Sequence, residues 1–217
     1  MEISSPGPGL RERKKQKTRD TIIKVALDLF AEHGYEHTTI AEIADAAEVS
    51  PRTIFAYFPT KEDIVFCQLP ETRERLAQAL RERPDGATAL DALRDFIAGS
   101  LDSDPNAALR KRILQSDETL RRGERARSGP FEQLMVEAIA EDLHADPDDI
   151  RPQIVAAAAA AAFTTVRERD PAALPESDSL EQTMAAIDDV MHFLRGGLDA
   201  LRQHSHASAP KRASKRS

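Results

Sequence analysis

The sequence predicts an all-α fold in which a group of short helices precedes a larger bundle of longer ones. Three observations carry this. Apolar residues recur at helical spacing along almost the whole chain, and Pro, Gly and Asp punctuate it at helix-length intervals. Helix-start signals crowd into one stretch, TTIAEIADAAEVSPRTIFAYFPTKEDI, from Thr38 to Ile64.

Composition sets the outer limits. With 217 residues, 41% hydrophobic and 31% charged, the chain is long enough for one large domain or two smaller ones. The single cysteine, Cys67, excludes an intrachain disulfide and is compatible with a reducing cytoplasm. No apolar run approaches the ~20 residues needed to cross a bilayer, so no membrane association is expected and a cytoplasmic protein is. The net charge of −7 argues against a chain that binds nucleic acid over its whole surface. Its distribution is uneven, however. Arg11, Arg13, Lys14, Lys15, Lys17 and Arg19 face only Glu12 near one end, and Lys211, Arg212, Lys215 and Arg216 close the other. Residues 1–16 read as a flexible basic arm and residues 205–217, which lack apolar periodicity, as a disordered basic tail.

The helices follow in order. From Lys17, Ile22, Val25, Ala26, Leu29 and Phe30 form one apolar face, and Gly34 stops the helix after His33. Thr39 and Glu42 are spaced as a capping box that opens a short second helix with Ile40, Ile43, Ala44 and Ala47 inside. After a turn at Glu48 and Val49, Ser50 is a natural N-cap and Pro51 a suitable first residue for a third helix. Pro59 ends it. Thr60 caps a fourth, whose first turn places Glu62 and Asp63 at the positive end of the helix dipole.

Helix, tight turn, helix is the organisation of a helix-turn-helix DNA reader. The third helix has the side chains for it. With Ile54 and Phe58 turned inward, Arg52, Thr53, Phe55, Ala56 and Tyr57 lie on the other sides. Arg52 can read a guanine edge, Thr53 a base or a thymine methyl, and Tyr57 can bond a phosphate. The helix starts after Thr39, Ser50 and Thr60 offer N–H groups to phosphate oxygens.

Over residues 17–65 the sequence resembles the DNA-binding domain of the TetR family of bacterial repressors. That family's pattern is close to T-x-x-x-I-A-x-x-A-G-V-S-x-x-T-x-Y-x-Y-F-x-x-K-E-x-L, and ALDLFAEHGYEHTTI precedes the motif here. The resemblance implies phosphate contacts from Thr39, Tyr57 and Lys61, and groove contacts from Ser50, Pro51, Arg52, Thr53 and Phe55. Glu48 stands where the family usually has the turn glycine, and Phe55 replaces the commoner Tyr. A left-handed backbone at Glu48 would cost roughly 1 kcal/mol.

Residues 66–204 read as a larger helical domain for effector binding and dimerisation. The resemblance implies a pocket in this bundle for a small apolar or aromatic effector, for which Phe96, Phe131, Met135 and Phe163 are the candidates. It also implies a homodimer formed through the last two long helices, near residues 149–169 and 179–203. Seven consecutive alanines, Ala156 to Ala162, offer a smooth surface for close approach. Ala158, Ala162, Met191, Leu194 and Leu198 are the candidate contacts. Phe66, Leu69, Leu93, Phe96, Ile97, Leu109, Ile113, Leu114, Phe131, Leu134, Met135 and Ile139 are expected to share one core. Arg110, Lys111, Arg112, Arg121, Arg122, Arg125 and Arg127 read as solvated faces, with a phosphate-bearing ligand as the alternative. The fourth helix is expected to run through Phe66 and Leu69 until Pro70 interrupts it.

No residue set supports catalysis, a metal site or a cofactor. The histidines lack metal spacing and there is no glycine-rich phosphate loop. The expected activity is therefore regulatory, namely binding of double-stranded operator DNA that a small effector relieves. A DNA binder without a ligand and a helical adaptor without DNA binding are the alternatives.

Overall fold

The computed structural model describes residues 9–100, 106–146, 148–168 and 179–207, and every described element is helical. Expectations for residues 1–8, for most of the loop PAALPESDS and for the tail beyond residue 207 lie outside the described residues. The order is α1 (Leu10–His33), α2 (Ile40–Ala46), α3 (Pro51–Tyr57), α4 (Lys61–Val65), α5 (Leu69–Arg81), α6 (Ala89–Ser100), α7 (Ala107–Ser116), α8 (Glu118–Ala126), α9 (Gly129–Leu143), α10 (Ile150–Glu168) and α11 (Ser179–Ala207).

The chain divides into two compact units, and the cut is not the one drawn at residue 65. Residues Met1–Pro70 form the first unit together with Asp104–Arg127, while Glu71–Ser103 and Ser128–Ser217 form the second. The expected single core is accordingly two. Phe66, Leu69, Leu109, Ile113 and Leu114 pack with α1, α2 and α3 around Ile22, Leu27, Phe30, Ile43 and Ile54. Leu93, Phe96, Ile97, Phe131, Leu134, Met135 and Ile139 pack with α10 and α11.

In the first unit α7 packs against α1, and α8, which the sequence reading passes over, packs against α7. Helix α8 is rich in arginine and buries only Leu120 among its own residues, so its apolar signal is thin; Asp117, accepting from the Leu120 N–H, caps it. Helix α1 starts seven residues before Lys17, at Leu10, so residues 10–16 are helix and not arm. The reason is local. Arg, Glu, Lys and Gln are good helix formers, and Gln16 donates to Asp20 one turn on, at 2.8 Å. At the other end α11 reaches Ala207, so residues 205–207 are also helical.

Pro70 does not interrupt α4. That helix ends at Val65, residues 66–68 turn, and Pro70 sits in the first turn of α5, where no intrahelical partner for its missing N–H is needed.

In the second unit α9, α10 and α11 pack on one another, and α6 packs on α9 and α11. Val155, Ala156 and Ala159 are the buried face of α10, at the i, i+1, i+4 spacing of a helix side pressed on its neighbours. Met191, Leu194 and Leu198 are 2%, 5% and 1% exposed within a single chain. They are core residues and are not free to form a dimer contact. Their size explains this, because the small alanines of α10 leave space that large side chains of α11 fill. The outer sides carry Ile150, Ile154 and Phe193, at 63%, 57% and 79% exposure. Ala158 and Ala162 are half-buried.

Candidate nucleic-acid interface

The site is built by three helix starts and one helix end. At the start of α2 the Thr39 N–H and hydroxyl both donate to Glu42 Oε2, at 2.7 and 2.8 Å, while the Glu42 N–H donates to Thr39 Oγ1 at 3.2 Å. The Thr39 backbone bond, and then its hydroxyl, hold the Glu42 carboxyl below its ordinary value. Thr39 is exposed, as a phosphate contact must be, but its donors already face a carboxylate.

Helix α2 ends in a Schellman motif. The Val49 N–H donates to Ala44 O at 2.9 Å and the Glu48 N–H to Asp45 O at 3.2 Å. This closure requires a left-handed residue between them, and Glu48 takes it with φ 53°. The departure from glycine therefore leaves the turn geometry intact and keeps the strain. The turn delivers the chain to Ser50, whose Oγ accepts from the Thr53 N–H at 3.1 Å and lies 2.8 Å from Thr53 Oγ1, with Pro51 as the first helical residue.

Helix α3 then sorts its side chains as expected. Ile54 and Phe58 are buried, at 0% and 2% exposure, whereas Arg52 and Phe55 are exposed and share one side at i, i+3 spacing. Phe55 is 51% exposed, an unusual position for a large apolar side chain. Thr53 and Tyr57 are half-buried on the flank, and the Tyr57 ring lies 6.3 Å from that of Phe58. Phe58 is extended at φ −135°, ψ 102°, as the residue before Pro59 must be, and this ends the helix.

Lys61 is differently placed from the expectation of a plain phosphate contact. Its Nζ donates to Tyr35 O at 2.6 Å and Thr38 O at 3.0 Å, and lies 4.2 Å from the Tyr35 ring centroid. The ammonium ties α4 to the turn between α1 and α2. Burial, reinforced by the Glu62 and Glu36 carboxylates, pushes the Tyr35 phenol above its ordinary value and keeps it neutral.

Two arginines read from sequence as solvated hold α4 from behind. Arg110 on α7 is 5% exposed and donates through Nη1 to Val65 O at 2.8 Å and Ile64 O at 3.3 Å. Arg127, just after α8, donates to Glu62 at 2.9 Å and lies 4.5 Å from the Phe66 ring centroid. A Cβ on Gly123 would sit 3.1 Å from the Arg127 guanidinium and 3.4 Å from that ring, so this position has room for little more than hydrogen. No sequence signal distinguished these arginines from Arg112 or Arg122, because their burial depends on α7 and α8 returning to the first unit.

Of the pocket candidates, Met135 is buried in the second unit's core, and Phe96, Phe131 and Phe163 are partly buried against that core. Two surface depressions are lined by other residues, one along α1 and one by Gly129, Glu132, Gln133, Val136, Asp148 and Gln153. No helix among the described residues is long and apolar enough to cross a membrane.

Comparison with known proteins meets this geometry at the same residues. The family profile described as "Bacterial regulatory proteins, tetR family" matches residues 22–66. The HTH-type transcriptional regulator TcmR of Streptomyces glaucescens is 47% identical over 87 residues, which are 40% of this chain and 38% of that protein. The match thus spans well under half of TcmR. MftR of Mycobacterium tuberculosis is 29% identical over 200 residues, 88% of this chain and 96% of that one. Among solved structures, NalD, the secondary repressor of the MexAB-OprM multidrug efflux pump in Pseudomonas aeruginosa, superposes with a TM-score of 0.56 at 25% identity, covering 81% of this chain and 97% of its own. Over residues 22–66, then, the chain carries a helix-turn-helix domain that matches the TetR family of bacterial regulatory proteins.

Proposed function

We propose that the chain is a cytoplasmic transcriptional regulator, not an enzyme, that binds double-stranded operator DNA as a homodimer and releases it when a small apolar or aromatic effector enters the second unit. The observation that carries this reading is α3, a short helix with a capped start that exposes Arg52 and Phe55 and buries Ile54 and Phe58. NalD, named as a repressor, resembles this fold over 97% of its own length.

The dimer contact is drawn from α10 and α11, as the family resemblance implies, but from their outward sides. Ile150 and Ile154 on α10 and Phe193 on α11 replace Met191, Leu194 and Leu198 in this role, beside the half-buried Ala158 and Ala162. Exposed large apolar residues on two neighbouring helices are what a second copy would cover. For the effector, Phe96, Phe131, Met135 and Phe163 remain the proposed lining, reached when the core around them opens.

Selection of bound fragments from the source organism's genomic DNA tests the reading. The expected product is a two-fold related site whose half-sites lie about one helical turn, ~34 to 36 Å, apart. A ligand found by thermal shift should bind more weakly with operator present, by a factor of about 5 to 150, since the coupling is reciprocal. Failure to enrich any fragment would remove the DNA-binding reading. Equal ligand affinity with and without operator would leave a constitutive DNA binder.

A further inference from the structure

The helix-turn-helix segment is itself acidic. Residues 20–70 contain three Lys or Arg, namely Lys24, Arg52 and Lys61, against nine Asp or Glu. Lys61 already serves two backbone carbonyls. Only Lys24 and Arg52, both exposed, remain to meet phosphates, while Glu42 and Glu48 stand at the two ends of α2, where it turns toward α3. Such a segment repels a polyanion at distances within a Debye length, ~8 to 10 Å at ordinary salt.

The missing positive charge lies immediately before it. Residues 10–19 hold six Lys or Arg against Glu12 alone, on the first turns of α1. Every residue from Leu10 to Lys17 is exposed, so these turns pack on nothing among the described residues. Among the described residues Arg11, Arg13, Lys14 and Lys17 make no ion pair, and Lys15 makes only a 4.0 Å approach to Glu12 with both side chains over 60% exposed. Arg19 anchors the far end, donating to Cys67 O at 3.2 Å and lying 5.5 Å from the ring centroid of Phe58 at the end of α3. The basic turns are therefore continuous with the recognition helix's own support. Their only large apolar residue is Leu10, which leaves no apolar face for a lipid surface.

We infer that the N-terminal turns of α1, through Arg11, Arg13, Lys14, Lys15 and Lys17, are the main phosphate-binding surface of this protein, gripping the DNA backbone beside the sequence that α3 reads. This rests on the DNA-binding reading above and adds to it a division of labour: α3 chooses the sequence and α1 supplies the salt-sensitive affinity. Held as a helix, the five charges are pre-ordered at ~1.5 Å per residue, so less side-chain and backbone freedom is lost on binding than from a loose arm.

The test compares the full chain with the variant carrying Arg11→Gln, Arg13→Gln, Lys14→Gln, Lys15→Gln and Lys17→Gln. Glutamine keeps helix propensity, and none of the five positions is buried. Binding is measured from 50 to 300 mM salt on the selected operator duplex and on an unrelated duplex of equal length. The variant should lose roughly 3 to 5 per bound protomer from the slope of log affinity against log salt, and at least ~100-fold in affinity near 0.1 M salt on both duplexes, so that their affinity ratio is unchanged. A second variant, Arg11→Lys with Arg13→Lys, should keep the wild-type slope. An unchanged slope and affinity in the glutamine variant would overturn the inference and leave the regulator reading standing. Equal losses in the lysine variant would overturn it too, by showing that charge is not the cause. A wild-type chain that binds neither duplex would remove both.

Discussion

Lys61 Nζ donates to the Tyr35 carbonyl oxygen at 2.6 Å and sits 4.2 Å from the centroid of the same residue's ring. One ammonium thus satisfies two carbonyls of the turn between α1 and α2 and joins α4 to them. The family resemblance gives this lysine to a phosphate. Its neighbours here give it first to the fold.

Lys61→Met is accordingly expected to lower stability by about 1 to 3 kcal/mol, because charge-assisted hydrogen bonds are lost and two carbonyls lose their donor. DNA affinity should fall alike for all sequences. Arg52→Ala should do the reverse, leaving the melting temperature within about 1 °C and costing roughly 1 to 3 kcal/mol of discrimination at one operator position. Chemical denaturation and binding to single-base operator variants separate the two. A Lys61→Met protein of wild-type stability would return Lys61 to the role of a surface contact.

Glu48 is held at φ 53° by a Schellman closure that any residue must complete in the left-handed region. Glu48→Gly should therefore raise stability by roughly 1 kcal/mol by removing the Cβ strain, less what the added freedom of the unfolded chain takes back. It also removes a carboxylate from the turn before α3, so operator affinity should rise, most at low salt. Thermal melts and a salt series on the operator check both signs. A fall in both would mean that the carboxylate makes a favourable contact with DNA.

The helix starts between Thr39 and Asp63 were legible because their instructions are local. Thr39 with Glu42, Ser50 with Pro51, and Thr60 with Asp63 each specify a helix start within four residues, and each is observed as such. Most of the positions misread depend on distant chain. Arg110 and Arg127 look like any surface arginines until α7 and α8 fold back to α4, and Met191, Leu194 and Leu198 look like one stripe with no sign of which neighbour covers it. The basic turns of α1 were misread for another reason, since a charge run carries helix propensity without any apolar period.

The alanine run gives a periodic prediction. Ala156 and Ala159 are 1% and 2% exposed, whereas Ala157 and Ala161 are exposed. Leucine at 156 or 159 should cost about 1 to 3 kcal/mol through overpacking against α9 and α11. Leucine at 157 or 161 should leave monomer stability within about 0.5 kcal/mol, and any effect there should appear in the sedimentation of the proposed dimer. Equal tolerance at all four positions would reduce the run to helix propensity.

Helix α4 is five residues long and makes too few backbone bonds to stand alone, so both of its ends need outside partners. The Thr60 and Asp63 capping box supplies one end. Arg110 supplies the other, because its guanidinium meets Val65 O and Ile64 O where the helix dipole is negative. Arg110→Met should leave those carbonyls without this donor and cost about 2 to 4 kcal/mol, partly offset by the removal of a buried charge. Lysine, a single ammonium with a shorter reach than the guanidinium fork, should restore only part of the loss. The direct readout is amide hydrogen exchange at Ile64, Val65 and Phe66, which should speed up in Arg110→Met more than at Ile22 or Leu27 in α1. Arg112→Met, on the exposed side of the same helix, should change neither exchange nor stability beyond about 0.5 kcal/mol. Indistinguishable behaviour of the two variants would show that α7 holds α4 by apolar packing alone.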